Sequence, residues 1–133
     1  MKRIAGSLDA NVLLRLLLND VLDQHKAALK LVENDLVEFN VADTVIIEIA
    51  FVLERHYQFS RKQICEAIDG LILLTQLRCN QILFEKALAL FVKHRNLSFE
   101  DCCLSVYAYL NDAEPLWTFD RKLAHKAPNA QLI

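Results

Sequence analysis

Four acidic residues carry the chemistry available to this chain: Asp9, Glu48, Asp101 and Asp120. Asp9 and Asp120 each close a short apolar run near opposite ends of the sequence. Glu48 is the only charge between Val45 and Leu53, and Asp101 opens the apolar segment that continues through Cys102, Cys103 and Leu104. A carboxylate among hydrophobic neighbours is costly unless a cation meets it. Four that converge would repel one another, and a divalent metal ion is the simplest neutraliser. Hard oxygen ligands select Mg²⁺ or Mn²⁺ over softer metals. The chemistry implied is metal-assisted attack on a phosphodiester, itself an anion unable to approach bare carboxylates. Asp9 and Asp120 are the expected direct ligands because strand ends are rigid mounts. Glu48 and Asp101 complete the cage or orient the attacking water.

Each acid also has a structural explanation. Asp9 and Asp120 suit helix N-caps, where Asp is favoured and contributes about 1 kcal/mol. Asp101 stands three residues after Ser98 and could complete a capping box. Glu48 could pair with Arg55, although a seven-residue separation is long for direct contact on a helix.

Apolar spacing sets out the elements that would position these acids. A short buried strand is expected from Ile4 to Leu8, then a helix from Ala10 to Leu18 with Val12, Leu13, Leu16 and Leu17 inward. Asp23 is read as the cap of a helix over 24–34 that turns Ala27, Ala28, Leu31 and Val32 inward. A strand follows over 37–41, then a helix capped by Asp43 or Thr44 and running to about Tyr57. Ser60 caps a helix over 61–74, with Leu71 to Leu74 as a buried run, and 80–83 suggests a brief strand. Helices over 85–95 and, beginning at Ser98, over 99–110 precede a strand at Leu116 to Phe119. A short basic helix and a strand over 130–133 close the chain. Strands alternating with helices predict a parallel sheet covered on both faces, and ligands collect beyond the carboxyl ends of its strands. Asp9 and Asp120 belong at that edge.

With 133 residues, the chain is expected to form a single domain over residues 1–133 with a real core. A hydrophobic fraction of 54% and a charged fraction of 24% describe a globular protein rather than a disordered one. A net charge of −2 provides no global basic field for nucleic acid, although local patches can still serve. Arg15, Arg121 and Lys122 flank the expected pocket and suit phosphate contacts, or serve as ordinary solvated charges. Cys65, Cys79, Cys102 and Cys103 form no C-x-x-C pair and read as buried free thiols of a reducing cytoplasm. The start Met1-Lys2-Arg3-Ile4 is basic then apolar, but Asp9 stops it short of a signal-peptide core. No stretch approaches the roughly 18 apolar residues of a membrane span. His25, His56, His94 and His125 have no paired spacing and are assigned no catalytic part, while Tyr107, Tyr109 and Trp117 read as core or dimer-interface groups.

Four segments together resemble the PIN-domain family, and in order and spacing its VapC-type ribonuclease toxins. These are Leu8-Asp9-Ala10-Asn11-Val12-Leu13-Leu14-Arg15; Val45 to Glu48 with Val52-Leu53-Glu54-Arg55; Leu97-Ser98-Phe99-Glu100-Asp101; and Trp117-Thr118-Phe119-Asp120-Arg121-Lys122. The resemblance implies a three-layer α/β/α PIN-like fold with a central parallel sheet of about four or five strands. It further implies a Mg²⁺- or Mn²⁺-dependent endoribonuclease, a homodimer, and a cognate antitoxin that blocks the site. Its four acidic positions match Asp9, Glu48, Asp101 and Asp120, and its polar helpers match Asn11 and Thr118. Two departures stand out: Ala10 replaces the usual hydroxyl residue, and Glu100 adds an acid beside Asp101 that either joins the site or faces solvent. Two other readings stay open. One is a catalytically silent binding module on the same fold. The other is a phospho-accepting α/β signalling domain, which wants paired acids on its first strand, where this chain offers Asp9 alone.

Overall fold

A computed structural model describes residues 2–133; Met1, the first residue of the basic start, lies outside the described residues. The chain divides into two compact units, Met1–Asn80 and Gln81–Ile133, and each is described by itself. Five strands alternate with seven helices among the described residues, and every strand pair is parallel, so the fold is α/β and PIN-like.

The first unit contains β1 (Arg3–Ser7), α1 (Ala10–Leu17), α2 (Leu22–Val32), β2 (Val37–Asn40), α3 (Asp43–Arg55), α4 (Arg61–Ile72) and β3 (Leu77–Arg78). Its sheet runs β1-β2-β3. The β1–β2 register breaks between Ile4 and Ser7, where Gly6 adopts φ +143°, a conformation that side chains with a Cβ rarely reach. The core is aliphatic: Leu13 from α1, Ile46, Ile49 and Leu53 from α3, and Ile64, Ile68 and Leu71 from α4 are fully buried. Spacing of three and four residues puts each set on one helix face.

The second unit contains α5 (Gln81–Lys93), α6 (Phe99–Leu110), β4 (Leu116–Thr118), α7 (Arg121–Lys126) and β5 (Ala130–Leu132), with β4 and β5 paired. Its core is aromatic where α5 meets α6. Phe99 stacks on Phe84 at 6.1 Å between ring centroids and meets Phe91 edge-on at 5.6 Å. Ser105 is a buried polar residue whose Oγ donates to Asn129 Oδ1 at 2.6 Å, while Asn129 Nδ2 donates back to the Ser105 carbonyl at 2.9 Å. This reciprocal pair fastens the segment before β5 to α6.

Several expectations are corrected. The first strand is not buried: every residue of β1 is exposed, because Ala5, Gly6 and Ser7 bring little apolar area and β1 is the edge of its sheet. On α1, Leu13 and Leu14 are buried, and Val12, Leu16 and Leu17 only half-buried. On α2, Ala28 and Val32 are buried whereas Ala27 and Leu31 are exposed beside a cavity. Asp23 does not cap α2, whose N-cap is Val21, and neither Asp43 nor Thr44 caps α3, whose N-cap is Ala42. Leu73 and Leu74 fall beyond the end of α4 and are exposed. The 80–83 segment is not a strand; the strand is Leu77–Arg78, and α5 already begins at Gln81. Tyr107, Tyr109 and Trp117 are exposed, which removes the core half of their expected role and leaves the interface half. The cysteines are free, with Cys102 and Cys103 buried and Cys65 and Cys79 partly so, and burial pushes the Cys65 and Cys79 thiols up. Among the described residues, no helix is long and apolar enough to cross a membrane.

Candidate functional site

In the first unit the site is assembled by α1 and α3, which pack against each other. Asp9 ends the β1–α1 connection in extended conformation and caps α1, its Oδ1 accepting from Val12 N at 3.0 Å. Its other oxygen takes no hydrogen bond from the described chain. Asn11 follows in the first turn of α1, and Arg15 lies in the last. Glu48 sits in the second turn of α3, on the face opposite buried Ile46, Ile49 and Leu53, and is exposed. Asp9, Asn11, Arg15 and Glu48 thereby line one cavity of about 490 Å³ together with Leu14, Val52, His56 and Tyr57. A second cavity of about 590 Å³ between α1 and α2 shares Asp9, Asn11 and Arg15.

Arg15 is the cation of this region. It forms an ion pair with Asp20 at 2.7 Å and donates to the Tyr57 hydroxyl at 3.1 Å. The Tyr57 hydrogen bond, opposed by burial and joined by the Asp20 carboxylate, pushes the Arg15 guanidinium further up. The same hydroxyl, ahead of Arg15, holds the Asp20 carboxyl below its usual range. His25 places Nδ1 2.7 Å from the Arg15 carbonyl. Asp20 and Tyr57 have no motif signature; only Tyr57's place just after α3 connects it to Glu48 in sequence.

The second unit carries the other two acids, each at the start of a helix. Asp101 completes a capping box: Ser98 Oγ accepts from Asp101 N at 3.0 Å, and Asp101 Oδ2 accepts from Ser98 N at 3.4 Å. Asp120 caps α7, its Oδ1 accepting from Lys122 N at 2.9 Å and Leu123 N at 3.1 Å. Thr118 Oγ1 accepts from Asp120 N at 2.9 Å and so fixes the backbone of the acid. Arg121 and Lys122 are exposed in the first turn of α7, and Glu100 is exposed on α6.

The premise that these acids lie awkwardly in apolar surroundings is corrected. Asp9, Glu48 and Asp120 are exposed and Asp101 is half-buried, because helix starts and an outer helix face solvate them. Glu48 and Arg55 do not pair; Arg55 lies over the Phe51 ring at 5.3 Å instead. As donors, carboxylate oxygens with the Asn11 amide suit a hard divalent cation. Among the described residues, neither unit by itself gathers three or more His, Cys, Asp or Glu side chains around one point. The first unit supplies Asp9 and Glu48, and the second Asp101 and Asp120.

Parallel strands that hand over to helices through aspartates define, in both units, an α/β protein with acids at its strand-to-helix junctions. The PIN domain profile matches residues 7–128, a span containing all four acids and reaching through both units, and the chain belongs to the PIN domain family. PIN domains are generally nucleases and generally use divalent metal ions. No match was found among curated proteins.

Proposed function

We propose that this chain is a metal-dependent endoribonuclease, the toxin of a toxin–antitoxin pair, acting in the cytoplasm as a homodimer restrained by its cognate antitoxin. One observation supports this above the rest. Asp9 and Glu48, distant in sequence, line a single cavity together with Asn11 and Arg15, a donor set of hard oxygens beside one guanidinium. The family match over residues 7–128 spans all four acids, which supports assigning Asp101 and Asp120 to the same activity as Asp9 and Glu48.

In this reading Asp9, Glu48, Asp101 and Asp120 hold Mg²⁺ or Mn²⁺. When bound, such an ion neutralises the phosphodiester and activates the attacking water. The three aspartates each commit one oxygen to the start of a helix and keep the other for the site. Capping thus orients the carboxylate before substrate arrives. Asn11 supports Asp9, and Thr118 holds Asp120 through its backbone N–H. Arg15, Arg121 and Lys122 meet the RNA backbone.

Purified protein should cleave total cellular RNA with Mg²⁺ or Mn²⁺ and stop in excess chelator. Equal cleavage in chelator removes the metal mechanism. Absence of cleavage with either ion, by folded protein, turns the reading toward a silent binding module, and labelling of Asp9 by a phosphodonor turns it toward a signalling domain. Cleavage of DNA in place of RNA reassigns the substrate, because the metal site itself does not read the 2′-hydroxyl.

A further inference from the structure

Three side chains close a ring beside the Asp9–Glu48 cavity, and two of them, Arg15 and Tyr57, line it. Arg15 Nη1 donates to Asp20 Oδ1 at 2.7 Å, Arg15 Nη2 donates to the Tyr57 hydroxyl at 3.1 Å, and that hydroxyl donates to Asp20 Oδ2 at 2.8 Å. The corners come from three places: the last turn of α1, the connection between α1 and α2, and the segment just after α3. They thus tie together the two helices that carry Asp9 and Glu48.

The ring is poorly placed to be a stability device. Asp20 is exposed, and exposed ion pairs contribute little once solvent screens them. It is well placed to fix the direction of a guanidinium whose side chain is only 13% exposed. An arginine meant simply to neutralise the acids would pair with them. This one is drawn aside onto Asp20, leaving Asp9 and Glu48 without an ion pair among the described residues. The remaining guanidinium N–H groups have no partner in the described chain, and Arg15 still lines the cavity beside both acids. The bond between His25 and the Arg15 carbonyl holds the backbone beneath it. A planar fork, pre-oriented at the wall of an acidic cavity, is the geometry that receives a phosphate oxygen pair.

We infer that Asp20 and Tyr57 are positioning residues that hold Arg15 to receive a backbone phosphate of the nucleic-acid substrate. This rests on the nuclease reading above and adds to it two residues that do not touch the reacting atoms.

The test compares wild type, Tyr57→Phe, Asp20→Asn and Arg15→Gln in Mg²⁺-dependent cleavage of a mixed-sequence single-stranded RNA, with thermal unfolding measured in parallel. Tyr57→Phe, which removes one oxygen, should raise KM about three- to tenfold and leave kcat unchanged. Asp20→Asn should raise KM in the same direction. Arg15→Gln should raise it further and make the log–log salt dependence of kcat/KM shallower by about 0.7, one phosphate contact on a single strand. Arg15→Lys should recover only part of the loss, because it keeps the charge without the fork. Wild-type KM in both Tyr57→Phe and Arg15→Gln, with only the unfolding midpoint lowered, would reduce the ring to a structural tie and overturn the inference. So would a loss confined to kcat. A folded wild type that cleaves no RNA instead fails the nuclease reading on which the inference stands, an outcome visible before any variant is made.

Discussion

In the unit Met1–Asn80, Glu48 reaches a cavity from the open face of a helix and takes no hydrogen bond or ion pair within the described chain. In the unit Gln81–Ile133, Asp101 and Asp120 each commit an oxygen to backbone N–H groups at a helix start. Asp9 stands between these cases, accepting one such bond while lining the cavity with Glu48. The difference separates two duties that a carboxylate can carry. Asp101 and Asp120 are justified by local folding whether or not they do chemistry. Glu48 has no such local task, and of the four acids it is the one that only chemistry explains.

The largest expected effect follows from that separation. Glu48→Gln should reduce RNA cleavage about a hundredfold or more, with stability changed by no more than about 0.5 kcal/mol, read by steady-state kinetics and urea unfolding. Asp9→Asn should behave alike, since Asn caps helices as well as Asp does. Unchanged cleavage in Glu48→Gln would break the comparison at its root. Next, Asp120→Ala should lose activity and also about 1 to 2 kcal/mol of stability, because two backbone N–H groups lose their acceptor. Asp120→Asn should lose the activity while keeping most of the stability. Ser98→Ala should cost about 1 kcal/mol through the capping box that includes Asp101.

The smallest effect belongs to pH. Asp20 is held below its ordinary value of 3.8, first by Tyr57 and then by Arg15. Its contribution to stability is therefore complete above that ordinary value and is lost as pH falls through the lower folded value. Acid titration of unfolding should show a slightly steeper decline for wild type than for Asp20→Asn, and no difference between their slopes at neutral pH.

Local signals made much of the architecture legible from sequence. Ser60 and Ser98 start helices where the sequence placed them, and Asp101 completes the capping box expected three residues after Ser98; the matching box of Gln63 with Ser60 is seen only in the structure. Val37 and Phe39 alternate inward as a strand should. Failures came where one pattern serves two structures. Ile82-Leu83-Phe84 is a short apolar run that strand and helix accept equally, and the helix continuing from it decides. Leu71 to Leu74 shows apolar character without showing that the helix stops at Ile72. Exposure of β1 depends on what covers it, which residue type alone does not tell. The four acids stand out in the sequence by their order and spacing, but burial among apolar neighbours does not hold for them: Asp9, Glu48 and Asp120 are exposed and Asp101 is half-buried. Asp20 and Tyr57 were not legible at all, since their bonds to Arg15 and to each other depend on tertiary contact rather than on a local pattern.

The N-cap bond of Asp120 also bears on how such a chain would age. In a lineage that no longer needs its chemistry, drift should erase Glu48 early, since nothing in the described fold would miss it. Asp9, Asp101 and Asp120 would persist because their helices still require them. An inert descendant would thus keep three aspartates as relics of construction, and their presence without Glu48 would be weak testimony to a living enzyme.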